Sequence, residues 1–200
     1  MISHKHGFLF LHVGRTGGNS ISNVLMHHSE NETRVHKSAG RGVHDPDGTQ
    51  GISVLDDDGV NIKHYGLSYF VEKMGERVFD YFIFLTARNP WDRLVSGWHY
   101  SGKRMPFDEF ISRGPVKPCV ENFLTVDGKV HDPSYVIRFE RLQEGLDHVC
   151  EHLGLPRTTL PHVNRSSRGH YAQYYSDVQR ALVAQRYAKD IEYFDYRFDD

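Results

Sequence analysis

Sulfur is scarce in this chain. Two cysteines, Cys119 and Cys150, stand among 200 residues. That is too few for a disulfide framework, so a reducing, cytoplasmic compartment is the default expectation. No apolar run approaches the roughly 20 residues that a membrane-spanning helix needs. Neither sign of charge dominates: 24 Lys and Arg face 26 Asp and Glu, for a net charge of −2. Without an overall basic field, nonspecific binding to nucleic acid or to an anionic membrane surface is not expected. Any anion site must be local. The opening "MISHKHGFLFLHV" has no cleavage-type site and reads as a first strand, not a signal peptide. There is no internal repeat, low-complexity tract or clear domain boundary.

What is present fits one α/β domain spanning residues 1–200, with 38% hydrophobic and 12% aromatic residues. Apolar runs predict strands at 7–13, 80–88 and 134–139, and a short one at 60–66. Helical spacing predicts helices at 19–28, 67–77 and 107–113, one from Pro90, one ending at Gly154, and a long one over 176–194 capped by Ser176. Residues 29–60 lack a clear period and are expected to be irregular, on the acceptor side or mobile. Strands followed by helices point to a central parallel sheet flanked by helices, with ligands beyond the carboxyl ends of the strands.

Two such ends carry unusual chemistry. The first is "HVGRTGGNSIS", residues 12–22. Gly14, Gly17 and Gly18 let backbone N–H groups approach an anion without Cβ clashes. The helix that follows adds unpaired N–H groups and a positive dipole end. Thr16, Asn19 and Ser20 offer side-chain donors, and Arg15 a fixed charge. Phosphate or sulfate is the natural guest; a helix-capping turn with a surface arginine is the plainer alternative. The turn lacks the Gly-Lys-Ser/Thr of a magnesium-binding Walker loop, which disfavours an NTPase while leaving a P-loop-like shape.

The second is "TARNPWDRLVSGWHY", residues 86–100. Arg88 ends a strand, and Ser96 lies on the polar side of the next helix, where both can reach one anion. The plainer alternative pairs Arg88 with a carboxylate and has Ser96 fill a helix contact. Together the two turns suggest a ligand with two separated anionic groups.

These segments resemble the sulfotransferases that use 3′-phosphoadenosine 5′-phosphosulfate (PAPS). The resemblance is to the family-2-like, carbohydrate-type group that includes heparan sulfate 2-O-sulfotransferase. "FLHVGRTGGNSI" looks like that family's 5′-phosphosulfate loop, and "FLTARNPWDRLVSGWHY" like its 3′-phosphate motif. "ENFLTVDGKVHDPSYVIRFERLQEGLDHVCEHLGLP" and "LPHVNRSSRGHYAQYY" resemble its later blocks, so the similarity runs from about residue 7 to 198.

The resemblance implies that Gly14, Arg15, Thr16, Gly17, Gly18, Asn19 and Ser20 hold the 5′ end of the donor. Arg88 and Ser96 would hold the 3′-phosphate, and Arg168 would contact the nucleotide. It implies sulfuryl transfer to a hydroxyl acceptor, expected to be a saccharide, with PAP as product and no metal. The alternatives are a catalytically silent nucleotide-binding module of the same fold and a P-loop-type kinase. One departure is plain: the family usually has lysine where this chain has Arg15. Arginine keeps the charge, so the resemblance still implies a catalytic role for Arg15 in stabilising charge on the sulfuryl and bridging oxygens, but arginine is a poor acid at neutral pH.

The transfer also needs a base, and the chain has 14 histidines. His64, before a helix, is the candidate; a histidine that only bonds a backbone carbonyl is the alternative. His12 is second, since it abuts the glycine turn. Asn164 and Ser166 read either as closing residues or as loop caps. "HVCEH" (148–152) and the acidic run 56–58 have metal-ligand residue types but not a complete ligand pattern. The former reads as a helix face and the latter as solvated.

Overall fold

The computed structural model describes residues 1–37, 50–160 and 168–199. Its centre is a four-stranded sheet. β1 (Ile2–Ser3) turns back into β2 (Phe8–Leu11), pairing Ile2 with Leu9 and Ser3 with Phe8. All four residues of β2 are fully buried, as a strand covered on both faces must be. From β2 the chain enters α1 (Gly18–Leu25), extended by one tight turn, Met26–His28.

Next come β3 (Glu32–Lys37) and β4 (Gln50–Leu55), an antiparallel pair in which Val35 faces Ile52. The stretch expected to be irregular thus contains a ribbon. Ile52 and Val54, two apart on β4, are both buried. The run 56–58 forms a turn: Asp56 accepts backbone N–H bonds from Asp58 (3.1 Å) and Val60 (2.8 Å). The strand expected at 60–66 reduces to one bridge between Asn61 and Leu55.

α2 (Leu67–Met74) leads through a tight turn to β5 (Phe82–Ala87), which is followed by α3 (Pro90–Tyr100) and α4 (Phe107–Arg113). β6 (Thr125–Val126) and β7 (Lys129–Val130) form a small hairpin around Asp127 and Gly128, both at positive φ. β8 (Tyr135–Arg138) and α5 (Leu142–His152) follow. The long helix expected over 176–194 is two: α6 (Asp177–Arg186) and α7 (Ala188–Phe194). The break falls at Tyr187, whose buried hydroxyl donates to the Val116 carbonyl. Ser176 caps α6 as expected, in a reciprocal capping box with Gln179.

The sheet order is β1-β2-β5-β8. β2, β5 and β8 are parallel, so that part of the expectation holds. β1 makes the sheet mixed, because so short a return from one strand to the next can only be antiparallel. The main core surrounds this sheet; a second apolar cluster, with Trp91, Leu94, Val95, Phe110 and Tyr187, joins α3 to α4 and α6. α3 therefore packs on one side and leaves Asp92, Ser96 and Tyr100, one helical turn apart, on the other.

Candidate active site

The carboxyl ends of β2, β5 and β8 open on one cavity of about 1180 Å³. The glycine turn after β2 forms one wall. Its conformation is set by close approaches: a Cβ on Gly18 would come 2.6 Å from the His12 ring. Gly17 has φ 82°, and a Cβ there would lie 2.8 Å from the Leu142 side chain. Gly17 caps α1 with no side chain of its own, so the cap residue gives the first-turn N–H groups no side-chain bond. Behind the turn, Arg93 Nε donates to the Gly14 carbonyl (2.9 Å). Thr16 does not line the cavity. Its hydroxyl donates to the Val13 carbonyl (2.7 Å) and lies 2.5 Å from the Thr86 hydroxyl, which ties the turn to β5.

Arg15 sits in the left-handed region, with φ 66°. Its guanidinium reaches α3, where it donates to Ser96 Oγ (3.1 Å) and lies 4.1 Å over the Tyr100 ring. Its Nε is buried without a partner. Burial lowers its pKa to about 10, and Arg88, Arg168 and Arg93 add to the effect. Arg88 forks onto Asp92, with Nε at 2.7 Å and a terminal nitrogen at 2.6 Å. Its other terminal nitrogen donates to the Arg15 carbonyl (3.2 Å), and its plane lies 3.7 Å over Phe139. Arg168 bonds the second oxygen of Asp92. Burial also lowers the Arg88 pKa, and Asp92 opposes this.

The two turns thus meet in one cavity. Arg88 and Ser96 are joined through Arg15 rather than to each other. The carboxylate pairing considered for Arg88 is present, yet two guanidinium groups share that single carboxylate.

His64 stands at the edge of this cavity. A Cβ on Gly66 would lie 2.0 Å from the Asn122 carbonyl, so glycine alone lets this segment enter α2 against the Val120–Leu124 turn. His64 Nδ1 donates to the His12 carbonyl (3.0 Å), which fixes the tautomer and leaves a lone pair on Nε2. Desolvation lowers its pKa; the His12 bond opposes this, while Lys63 and Arg93 lower it further. His64 also borders a second cavity of about 340 Å³ with Tyr65, Tyr69, Lys117 and Asn122. His12 lies beneath the turn, its Nδ1 3.1 Å from Ser22 Oγ and its pKa held well down by burial. Packing is the role its place supports.

Lys63, Asp92 and Arg93 belong to this region and were not singled out from the sequence. Lys63 Nζ donates to Asn19 Oδ1 (2.7 Å), and burial lowers its pKa to about 8, with Arg15 adding to the shift. Asp92 and Arg93 stand inside the "RNPWDRL" motif, which was their available signal. Lys63 had none beyond its place beside His64. Ser20 lines the cavity; Asn164 and Ser166 lie outside the described residues. The "HVCEH" histidines stack on Tyr135 and Phe82 at 4.2 and 4.0 Å, with Cys150 buried between them in the chain, which accounts for them as packing. Among the described residues, no group of three metal-ligating side chains is assembled, and no helix is long and apolar enough to cross a membrane.

The cavity wall carries four basic side chains (Arg15, Lys63, Arg88, Arg168) and two carboxylates (Asp92, Glu140). That local excess, inside a chain of slightly negative net charge, suits an anionic guest. Neither a curated protein nor a solved structure matches the chain. A family model described as "Sulfotransferase family" matches residues 1–113, which contain both turns, His64 and α3. On that match, over more than half of its length, the chain belongs to the sulfotransferase family, whose domain carries out sulfuryl transfer.

Proposed function

We propose that the large cavity binds PAPS and that the protein transfers its sulfuryl group to a hydroxyl on a saccharide. The observation that carries this reading is the convergence of Arg15, Lys63, Arg88 and Arg168 on one cavity at the ends of adjacent parallel strands. The orphaned Arg15 Nε fits an anion that completes its bonding.

When bound, the donor supplies a sulfuryl group on a phosphate leaving group. The N–H groups of the glycine turn and the start of α1, from Gly14 through Gly17 and Gly18 to Ser20, hold the 5′ end. Thr16 holds the turn in shape from below, and Asn19 serves through its contact with Lys63. Arg88, with Arg168 beside it, meets the 3′-phosphate by turning part of its fork from Asp92, while Ser96 and Arg15 close the same grip. His64 Nε2 takes the proton of the acceptor hydroxyl. Its lowered pKa keeps the ring neutral and able to do so at pH 7. The acceptor approaches from the smaller cavity, where exposed Tyr65 offers a face for a sugar ring and Asn122 offers polar partners.

A thermal-shift comparison tests the reading. PAP at 100-fold above its Kd is expected to raise Tm by about 5–10 °C, whereas ATP with magnesium leaves it unchanged. Stabilisation by ATP with magnesium and not by PAP would favour a kinase. PAP binding without sulfate transfer from PAPS to any hydroxyl would leave only a nucleotide-holding module.

A further inference from the structure

Arg93 and Arg88 bond carbonyls of the glycine turn (2.9 and 3.2 Å), whereas Arg15 and Lys63 are held in two other ways. Arg15 originates in the turn, but its guanidinium lies on α3, between Ser96 Oγ and the Tyr100 ring. Lys63 originates in the segment before α2, yet its ammonium reaches Asn19, the second residue of α1, at 2.7 Å. The position at the mouth of the turn therefore belongs to Lys63.

The described residues around it do not neutralise it. Among the described residues no carboxylate lies within ion-pair reach of Lys63, whose bonded partner is an amide oxygen. The charged and titratable groups facing it are Arg15 from the turn, His12 at the end of β2 and His64 from its own segment, with Arg93 beyond His64. None of these carries negative charge. A half-buried ammonium among bases is costly unless an anion completes the site.

We propose that Lys63, rather than Arg15, is the catalytic cation that contacts the leaving oxygen of the sulfuryl donor, while Arg15 serves the second grip at Ser96. This rests on the donor reading given above. As the acceptor oxygen–sulfur bond forms, the bond from sulfur to the bridging phosphate oxygen breaks. The electron pair stays on that phosphate oxygen, and the Lys63 ammonium, a compact point charge, stabilises it. His64 Nε2 holds the proton released by the acceptor. Atoms and charge balance without a metal or any further reactant.

The ammonium must be protonated to act. Its pKa in the free protein, about 8, places loss of that charge within a measurable range. Bound phosphate raises the lysine pKa, so the complex holds more protons and affinity falls as pH rises through about 8.

The test is calorimetry of PAP binding from pH 6.5 to 9.5 for the wild-type chain, Lys63→Arg, Lys63→Met and Arg15→Met, joined to PAP release from PAPS. Wild type is expected to lose affinity about tenfold or more across the alkaline range. Lys63→Arg, permanently charged, flattens that fall. Lys63→Met binds weakly at every pH and releases PAP about 10²–10³-fold more slowly. Arg15→Met weakens binding but keeps the alkaline fall, moved to higher pH because Arg15 no longer depresses the Lys63 pKa. The proposal is overturned if Lys63→Met retains wild-type affinity with the same alkaline fall, or if the fall disappears in Arg15→Met instead. Wild-type protein that does not bind PAP removes the donor reading and this inference with it. Binding by wild type with indifference to Lys63 removes this inference alone.

Discussion

Two strand-to-helix turns lie side by side at the top of the sheet, and they are built in opposite ways. The turn from β2 to α1 is glycine-rich, and its cap, Gly17, contributes no side-chain bond. The turn from β5 to α3 is closed. Asn89 Oδ1 accepts from the N–H groups of Trp91 (3.1 Å) and Asp92 (3.4 Å), and Pro90 has no N–H. The Asn89 N–H itself donates to Glu140 (3.1 Å), and its side-chain amide to the Arg197 carbonyl (2.7 Å). One turn leaves its main chain for a ligand. The other commits its main chain to the fold and offers only side chains: Arg88, Asp92 and Ser96. An anion gripped at both ends meets amides at one and guanidinium groups at the other.

Substitutions can separate these roles. The largest effect is expected at His64, which packs against the open turn. His64→Ala should lower turnover by about 10²–10⁴-fold while leaving PAP affinity near wild type, measured by stopped assay and calorimetry. The pH profile gives the same information in wild type. The base works only when neutral, so kcat/KM should fall as pH drops, with an acid limb below the ordinary histidine value of 6.5. Next is Arg88→Ala in the closed turn, expected to weaken PAP binding by about 2–4 kcal/mol, since it leaves buried partners unpaired. Gly18→Ala drives a methyl group to 2.6 Å from the His12 ring and should cost about 1–3 kcal/mol of stability in urea unfolding, with weaker PAP binding. Asn89→Ala should show the smallest effect on PAP affinity, which stays nearly unchanged, while stability falls by about 1–3 kcal/mol as the cap is lost and Tyr171 and the Arg197 carbonyl lose its amide. If Asn89→Ala weakened PAP binding more than Gly18→Ala, the contrast between open and closed turns would be wrong.

The strands and turns that build this contrast were legible because their signals are local. A short apolar run ending in Gly-Arg-Thr-Gly-Gly, or in Arg-Asn-Pro, states both the element and its exit. Ser176 was readable as a cap for the same reason. What escaped depends on distant partners. β1 has only two residues, too few for a period. Tyr187 breaks the last helix through a bond to Val116, 71 residues away in the chain. Thr16 has the right chemistry for a ligand donor, but the Val13 carbonyl and Thr86 claim its hydroxyl. Arg15 was expected in the cradle; Ser96, 81 residues on, draws its guanidinium to α3. Lys63 acquires meaning only from Asn19, which lies 44 residues earlier.

A crystal structure of the complex with PAP tests the central claim most directly. The account predicts the 5′-phosphate within the Gly14–Ser20 turn, touching Lys63, and the 3′-phosphate against Arg88 and Ser96. A nucleotide bound outside this cavity, or one whose phosphates contact neither turn, would contradict it.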